Sequence, residues 1–568
     1  MTDDRPLRDI AEQAIGGGDD IGRPPWGFAF KALAAASLNG KIFGSEAARL
    51  TRELVKVVAG SSTVAPPKGD KRFADPAWSA NPVYRRIMQT YLVSSAGLDR
   101  IVDQWQYAEE DVTRAQAARF AAAVLTGALA PTNYLLANPA AVKEAFDTAG
   151  LSLARGLRNY ASDLRHNGGM PSMTEPGAFK VAVDLAITPG SVASRDTVAE
   201  LLQYTPSTET VYQRPVLVVP PPIGRYYFLD LRPGRSFVEY SVARGLRTFL
   251  LSWRNPQAEQ ADWTLDTYAA RVSDALDEIR ARTGSDDVNV IGFCAGGIIT
   301  TTLLNHLAAH GDTRIHSVAY AVTMLDFRNQ GQLAAFAVPR LLKFAEKRSA
   351  RRGVITAREM SSAFTWMRPN DLVFNYVVNN YLMGRKPPKF DILAWNADGT
   401  NLPGSLHGQF LDIFANNSLV QPGAMEVLGT PLHLDRIKAP IFVVGAIDDH
   451  LTDWKNCYLT TQLLGSSDRT FLLSYSGHIA SLVNPPGNPK AHYWVGDKPG
   501  PDPELWRTKA TKRSGSWWEA WADWATARAG ASVSAPGDAA NPEDEMLGAA
   551  PGLYVRDLEP ASAQAGTA

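Results

Sequence analysis

The sequence is poor in cysteine, in net charge and in long apolar runs, and each shortage excludes a class of protein. Two cysteines in 568 residues, Cys294 and Cys457, are too few for a disulfide scaffold or a cysteine-rich zinc site. The 57 basic and 58 acidic residues leave a formal net charge of −1, which gives no electrostatic reason to expect nucleic acid or an anionic membrane as a partner. No stretch approaches the roughly 20 apolar residues of a transmembrane segment.

Signals for export are also missing, and both ends of the sequence have the composition of unfolded chain. Met1–Arg5 shows no basic segment followed by an apolar one, so we expect no signal peptide and a cytoplasmic protein whose thiols stay reduced. Residues 1–25 are rich in glycine and aspartate and predict a flexible arm. Residues 531–568 are rich in alanine, glycine, proline and serine and predict a disordered tail.

Between these ends the chain shows two patterns. Residues 26–175 repeat apolar side chains every three or four positions, which predicts a mostly helical N-terminal domain. Residues 176–530 alternate short β-branched runs with helical stretches, which is typical of a parallel sheet covered on both faces. The runs are 216–219, 248–251, 288–291, 318–322, 441–444 and 470–473. The gap between the fourth and fifth runs is too long for a bare loop, so we predict an inserted, largely helical cap subdomain at about 328–433.

The strongest local signal is Gly292–Gly296, which reads G-F-C-A-G between a predicted strand and a predicted helix. This is the nucleophile elbow of the α/β-hydrolase fold, with cysteine in place of serine. We therefore predict an α/β-hydrolase fold with a large inserted cap. Cys294 is the expected nucleophile, and the N–H of Ala295 at the start of the next helix is an expected oxyanion donor. The alternative is a buried, inert thiol in a glycine-rich turn.

A nucleophile elbow requires an acid and then a histidine later in the chain. Asp448 and Asp449 come just after the run 441–444, and His478 follows the last run. The residues alone leave the choice between the two acids open. His450, next to the acid, is expected to support it without touching substrate.

A second oxyanion donor is expected from the loop after the run 216–219. Pro220, Pro221 and Pro222 have no N–H group, so the first available donors are Ile223 and Gly224. We favour Ile223; the alternative is a rigid turn without a catalytic role.

The choice of cysteine indicates the reaction class. A thiolate that attacks a thioester exchanges one thioester for another at little energetic cost, which suits acyl transfer from coenzyme A. A transferase must also exclude water from its acyl intermediate, and a large cap is a means of exclusion.

Ten segments together resemble the polyhydroxyalkanoate synthase family, in its single-subunit form, from about residue 72 to about residue 525. They are Arg72–Trp78, Pro131–Pro139, Pro220–Ile223, Tyr226–Leu231, Ser252–Pro256, the Cys294 elbow, Trp395–Pro403, Asp449–His450, Ser476–Ala480 and Asn484–Pro489. The sequence departs from the family pattern at Gly224 and Arg225, which stand where Asn and Lys are usual. It also lacks a proline before Trp454. These departures leave the preferred monomer length open.

The resemblance implies an enzyme that polymerises (R)-3-hydroxyacyl-coenzyme A into a polyester and releases coenzyme A. It implies Cys294 as the acylated nucleophile, His478 as the base, and Asp449 as the acid that orients His478 or helps to activate the incoming hydroxyl. It also implies a homodimer on the surface of cytoplasmic polyester granules, with granule-associated proteins as further partners. No bound cofactor is expected, because coenzyme A is a released product.

Two other functions remain open at this point. A cysteine-dependent thioesterase or intracellular polyester depolymerase would use the same three residues with water as the final nucleophile. A non-catalytic granule scaffold would use the N-terminal helices and a helix with Trp517, Trp521 and Trp524 on one face. That tryptophan spacing primarily predicts an amphipathic helix docked on the core.

Overall fold

The computed structural model describes residues 40–108, 112–328, 339–536 and 547–559. The chain forms two compact units. The first comprises Met1–Ala178, Gln332–Ala345 and Arg358–Ala397, and the second comprises Phe179–Gly331, Glu346–Ala357 and Asp398–Ala568. The insertion that we predict at about 328–433 is therefore shared between the units, and its boundaries as a separate cap stay a prediction. The predicted arm at 1–25 lies outside the described residues.

The N-terminal region is helical, as its apolar spacing predicts. Its helices are α1 (Gly40–Ala59), α2 (Ala77–Ala80), α3 (Pro82–Ala108), α4 (Val112–Ala128), α5 (Pro139–Asp147) and α6 (Leu151–His166), with 3₁₀ turns at Lys71–Phe73, Pro131–Asn133 and Leu135–Ala137. Asn138 caps α5 because its side chain accepts the Ala141 N–H, and Pro139 occupies the first helical position, where no N–H is needed. The insertion contributes to the core of this unit through Trp366 and Val373, which pack with Val124.

The remaining helices connect and flank the strands of the second unit or belong to the insertion. In chain order they are α7 (Phe237–Ala243), α8 (Leu265–Thr283), α9 (Ala295–Ala309), α10 (Pro339–Arg352), α11 (Ala357–Met367), α12 (Asp391–Ala397), α13 (Gly404–Asn416), α14 (Trp454–Leu463), α15 (His478–Leu482), α16 (Pro503–Lys509) and α17 (Trp517–Thr526). Two π-helical turns, Asn370–Phe374 and Val377–Leu382, lie between α11 and α12. Further 3₁₀ turns are Tyr226–Leu229, Ala258–Gln260, Ser418–Val420, Leu434–Arg436 and Tyr554–Arg556. Among the helices that the structure describes, none is both long enough and apolar enough to cross a membrane.

The second unit is built on a ten-stranded mixed sheet. Its strands are β1 (Gly190–Arg195), β2 (Ala199–Tyr204), β3 (Val216–Val219), β4 (Thr248–Trp253), β5 (Val288–Phe293), β6 (Ile315–Ala321), β7 (Ile441–Ala446), β8 (Arg469–Ser474), β9 (His492–Val495) and β10 (Thr511–Ser514). Their spatial order is β1-β2-β4-β3-β5-β6-β7-β8-β9-β10. Three two-stranded pairs lie outside this sheet: Thr210–Tyr212 with Ser532–Ser534, Val354–Ile355 with Leu402–Pro403, and Glu426–Val427 with Thr430–Pro431.

The six predicted strands are confirmed, and they form the parallel centre of the sheet, β4-β3-β5-β6-β7-β8. The four antiparallel edge strands were not predicted. The outermost strand β10 shows why: all its residues are exposed, and its sequence, TKRS, contains no apolar run. Charged edge strands resist pairing with another chain, and they give little periodic signal in the sequence.

The tryptophan helix α17 docks on the core, as its spacing predicts. Trp517, Trp518 and Trp521 are all buried, and Trp517 and Trp521 pack on the ring of Phe237. Ser516 caps the helix by accepting the Trp518 N–H. An aromatic face that binds another apolar surface is therefore wrong for Trp517 and Trp521, whereas Trp524, the third predicted residue, is partly buried and packs on Phe442.

The prediction of a disordered tail over residues 531–568 is wrong for Ser532–Ser534, which pairs with Thr210–Tyr212, and for residues 547–559, which we call the C-terminal clasp. The Val192 N–H donates to the Gly548 carbonyl, and the Ala550 N–H donates to the Gly190 carbonyl, so the clasp runs along the edge strand β1. Tyr554 and Val555 are buried. Composition predicted disorder because the tail as a whole is rich in alanine, glycine, proline and serine. The order of the clasp comes from contacts with residues far away in the sequence.

Candidate active site

Cys294 lies at the sharp turn between β5 and α9. Its backbone is in an unusual conformation, with φ 50° and ψ −121°. A non-glycine residue with positive φ is strained and persists only where its surroundings hold it in place. Here the Cys294 N–H donates to the Ala321 carbonyl (2.9 Å), and the Thr323 hydroxyl donates to the Cys294 carbonyl (2.9 Å). The neighbouring strand β6 and the residues after it therefore fix the turn.

The glycines of the elbow are required by close backbone contacts. A Cβ atom on Gly292 would lie 2.6 Å from the Cα of Gly297. A Cβ atom on Gly296 would lie 2.2 Å from the Val219 carbonyl oxygen and 2.7 Å from that of Pro220. All three distances are too short for a side chain. The contacts of Gly296 also show that the end of β3 and the following proline loop lie directly against the first turn of α9.

Asp449 and His478 come together as a buried pair. Asp449 follows β7, His478 begins α15 after β8, and the distance from Asp449 Oδ2 to His478 Nδ1 is 2.6 Å. The Asp449 side chain is 0% exposed and that of His478 is 6% exposed. The N–H groups of Leu451 and Thr452 donate to Asp449 Oδ1 at 2.8 and 3.0 Å. The acid is thus held by the backbone of its own turn.

The two members of this pair shift each other's pKa. Burial by itself lowers the pKa of His478, but the charge of Asp449 and hydrogen bonds to Asp449 and to the Cys294 thiol outweigh burial and raise this pKa to about 10. Burial raises the pKa of Asp449, but the charge and hydrogen bond of His478 and the backbone donors hold it below its usual value. Both shifts favour a charged Asp449–His478 pair, and a strongly basic imidazole lies beside the thiol.

The other predicted residues lie around this pair. Asp448 is exposed, and its backbone N–H donates to the Ser476 carbonyl (3.0 Å), so the structure pairs Asp449 rather than Asp448 with His478. His450 is partly buried in the same turn, next to Asp449. Cys457 is fully buried on α14, and burial raises its thiol pKa well above the usual value.

The two predicted oxyanion donors lie in adjacent segments. Ala295 is the first residue of α9, where N–H groups have no carbonyl partner within the helix. Ile223 lies in the proline loop, Pro220–Arg225. The N–H of Gly224, the other candidate, donates to Thr400 Oγ1 (2.8 Å), and Thr400 in turn donates to the Pro222 carbonyl (3.3 Å).

Sequence reasoning missed two residues that hold the site in place. The Thr452 hydroxyl donates to Asp449 Oδ2 (2.8 Å) and lies 3.3 Å from His478 Nδ1. Arg225 binds Asp398 (2.7 Å) from within the proline loop. Arg225 is itself a departure from the pattern that the sequence otherwise resembles, and Thr452 precedes Asp453, where the usual proline is missing, so these departures were the available signal.

Comparisons with known proteins identify relatives over most of the chain. The model of the family described as "Poly-beta-hydroxybutyrate polymerase (PhaC) N-terminus" matches residues 69–241, and that of the alpha/beta hydrolase fold matches residues 233–485. Poly(3-hydroxyalkanoate) polymerase 1 of Ectopseudomonas oleovorans is 45% identical over 506 residues, which cover 89% of this chain and 89% of that protein. Poly(3-hydroxyalkanoate) polymerase subunit PhaC of Cupriavidus necator is 38% identical, with 88% of this chain and 85% of that protein covered. The α/β-hydrolase prediction is thereby confirmed.

Proposed function

Since this chain belongs to the poly(3-hydroxyalkanoate) polymerase family, we propose that it polymerises (R)-3-hydroxyacyl-coenzyme A into a polyester through an acyl intermediate on Cys294. The observation that carries the proposal is the 2.6 Å Asp449–His478 pair, together with the interaction of the Cys294 thiol with His478 that helps to raise the pKa of this imidazole. Nucleophile, acid and base, which are Cys294, Asp449 and His478, then follow each other in the chain order of α/β hydrolases.

The first half-reaction acylates Cys294. Because His478 Nδ1 faces Asp449, Nε2 is the nitrogen that takes the thiol proton. The thiolate attacks the thioester carbonyl, and the N–H groups of Ala295 and Ile223 hold the negative oxygen. The C–S bond to coenzyme A then breaks, and the leaving thiolate takes the proton from His478. The raised pKa of His478 supports this role, because it favours the imidazolium–thiolate pair.

The second half-reaction forms the ester bond. The hydroxyl of the next 3-hydroxyacyl-coenzyme A attacks the acyl-Cys294 thioester and gives its proton to His478, which returns it to the departing Cys294 thiolate. The lengthened chain carries a coenzyme A thioester and acylates Cys294 again, with release of coenzyme A. The full burial of the Asp449 carboxylate supports the orienting role for this acid more than direct contact with the hydroxyl. The reaction needs no cofactor.

The test supplies (R)-3-hydroxyacyl-coenzyme A of several acyl lengths to the full chain and follows free thiol and polymer. Insoluble polyester formed in step with coenzyme A release is expected. Release accompanied only by free hydroxy acid would favour the thioesterase or depolymerase alternative. No release at any acyl length would favour the scaffold alternative.

The proposal also includes a homodimer on the surface of cytoplasmic polyester granules, in contact with granule-associated proteins. Its support is the family membership of the chain. Light scattering with and without substrate tests the dimer, and co-sedimentation with purified granules tests the location. A monomer at all concentrations, or a protein that stays in the supernatant, would contradict these parts and leave the reaction unaffected.

A further inference from the structure

A buried arginine ties the proline loop to two distant parts of the chain. The Arg225 side chain is only 6% exposed. Its Nε lies 2.7 Å from Asp398 Oδ1, and its Nη2 lies 2.5 Å from Asp557 Oδ2. Its Nη1 donates to the Tyr554 carbonyl at 3.3 Å. One guanidinium therefore joins the loop beside the elbow to the segment before α13 and to the C-terminal clasp.

The proline loop depends on such side-chain anchors because its own backbone offers few. Three successive prolines carry no N–H group, so they cannot donate to neighbouring strands. Among the described contacts of the loop, the Trp253 indole donates to the Pro220 carbonyl (2.9 Å), and Thr400 contacts both Pro222 and Gly224. Arg225 follows Gly224, and its side-chain contacts anchor the end of the loop that follows Ile223.

The clasp itself is fixed to the core without Arg225. Glu200 on β2 is fully buried, forms an ion pair with Arg195 (2.6 Å), and accepts the N–H groups of Leu553 and Tyr554 at 2.9 and 3.0 Å. A Cβ atom on Gly552 would lie 2.2 Å from Glu200 Oε2, so glycine is needed for this close approach. Two backbone hydrogen bonds to β1 add to this attachment. Asp557 is thus presented to Arg225 by a segment that is held elsewhere.

We propose that the C-terminal clasp is a positioning element for catalysis: Asp557, together with Asp398, holds Arg225 and thereby fixes the Ile223 N–H relative to Cys294. The inference rests on the proposed function, because it needs Ile223 as an oxyanion donor. Asp557 touches no reacting atom, so it acts through the loop. A donor that is displaced by a fraction of an ångström stabilises the transition state less while substrate binding is nearly unchanged, so the loss falls on kcat rather than on KM.

The experiment compares two neutralised carboxylates of the same clasp. Asp557→Asn removes the charge that faces Arg225, and Glu559→Gln removes a charge that pairs with Arg254 (2.7 Å) instead of with a residue of the proline loop. We expect Asp557→Asn to lower kcat for coenzyme A release about tenfold with KM changed less than about twofold. Glu559→Gln is expected to stay within about twofold of wild type in both parameters. Equal kcat values for the two variants, or a loss seen in KM alone, would overturn the proposal.

Two further variants separate the ways in which this can fail. Cys294→Ala in the same assay tests the proposed function, and thiol release that persists in this variant refutes that function. If Cys294→Ala abolishes thiol release and Asp557→Asn has wild-type kinetics, only the positioning role of the clasp is refuted. Arg225→Lys keeps the charge but cannot reach both carboxylates with a planar fork. It is expected to lower kcat with KM nearly unchanged, and a wild-type kcat would count against the proposal even if Asp557→Asn failed to fold.

Discussion

The turn that holds Asp449 and the loop that holds Ile223, the proposed oxyanion donor, are anchored in opposite ways. Asp449 is held by the N–H groups of Leu451 and Thr452 and by the Thr452 hydroxyl, all within three residues. The proline loop is held by Thr400, Asp398 and Asp557, which lie 176, 173 and 332 residues from their partners. The acid turn is therefore complete by itself, whereas the proline loop needs the assembled unit around it.

This difference predicts where the enzyme tolerates change. A locally anchored turn keeps its geometry as long as its own few residues are kept. A loop anchored at long range loses its geometry when distant segments are altered, even though those segments touch no substrate.

The acid turn and the proline loop are both proposed to position groups around Cys294. Cys294→Ala is expected to reduce coenzyme A release to background, on the order of 10⁵-fold, because it removes the atom that carries the acyl group. The matched control is Cys457→Ala, which deletes the other, fully buried thiol and is expected to retain turnover. Thiol release and polymer mass measure the activity of both variants. A similar loss of activity in the two variants would contradict the assignment of Cys294 as the nucleophile.

The acid turn contains two adjacent aspartates, so a substitution of Asp448 is the control for the same substitution of Asp449. Asp449→Asn is expected to lower kcat about 10³- to 10⁴-fold, because an amide cannot hold the imidazolium as a carboxylate does. Asp448→Asn alters the adjacent, exposed acid and is expected to leave kcat within about twofold of wild type. Steady-state kinetics on folded protein decide, and an equal loss in both variants would contradict the pairing of Asp449 with His478.

The Asp449–His478 pair also predicts a pH-dependent stability. Because the folded pKa of His478 is raised from 6.5 to about 10, its contribution is fully present below about pH 6.5 and is lost as pH rises towards 10. The folded pKa of Asp449 is lowered, so its contribution is lost only in acid, as pH falls through that value. The difference in unfolding free energy between wild type and Asp449→Asn should thus be larger at pH 6 than at pH 9.5 in urea titrations. A difference that grows with pH would contradict the assignment.

The smallest effect sharpens the idea of local anchoring. Thr452→Val keeps the shape of the side chain but removes the hydroxyl that donates to Asp449, while both backbone N–H donors remain. We expect kcat to fall about ten- to hundredfold, as for the loss of one hydrogen bond to a charged group. Thr452→Ser restores the hydroxyl and should restore kcat. If kcat of the valine variant fell as far as that of Asp449→Asn, the two backbone N–H groups would not be enough to hold Asp449 in place.

The same contrast explains what the sequence could predict. The six central strands, the Cys294 elbow and the later acid and histidine were predictable because each depends on a short run of residues. The choice between Asp448 and Asp449 needed a family resemblance, since both follow the same strand. The edge strand β10 and the clasp were missed, because polar, alanine-rich and glycine-rich sequences become ordered there only through distant partners such as Glu200. Nothing near Arg225 in the sequence marks Asp557 as its partner.

The tryptophan helix gives the catalytic histidine proposed here an optical reporter. The Trp517 and Trp518 indole N–H groups donate to the carbonyls of Ser481 and Leu482, at 2.7 and 3.1 Å, and these residues end the short helix that begins with His478. Because an indole responds to the loss of a hydrogen bond and to the entry of water, its fluorescence and near-ultraviolet circular dichroism will change when this helix loosens. Because the chain contains 14 tryptophans, the difference in these signals between the wild type and a Trp518→Phe variant reports the order of the helix that begins at His478.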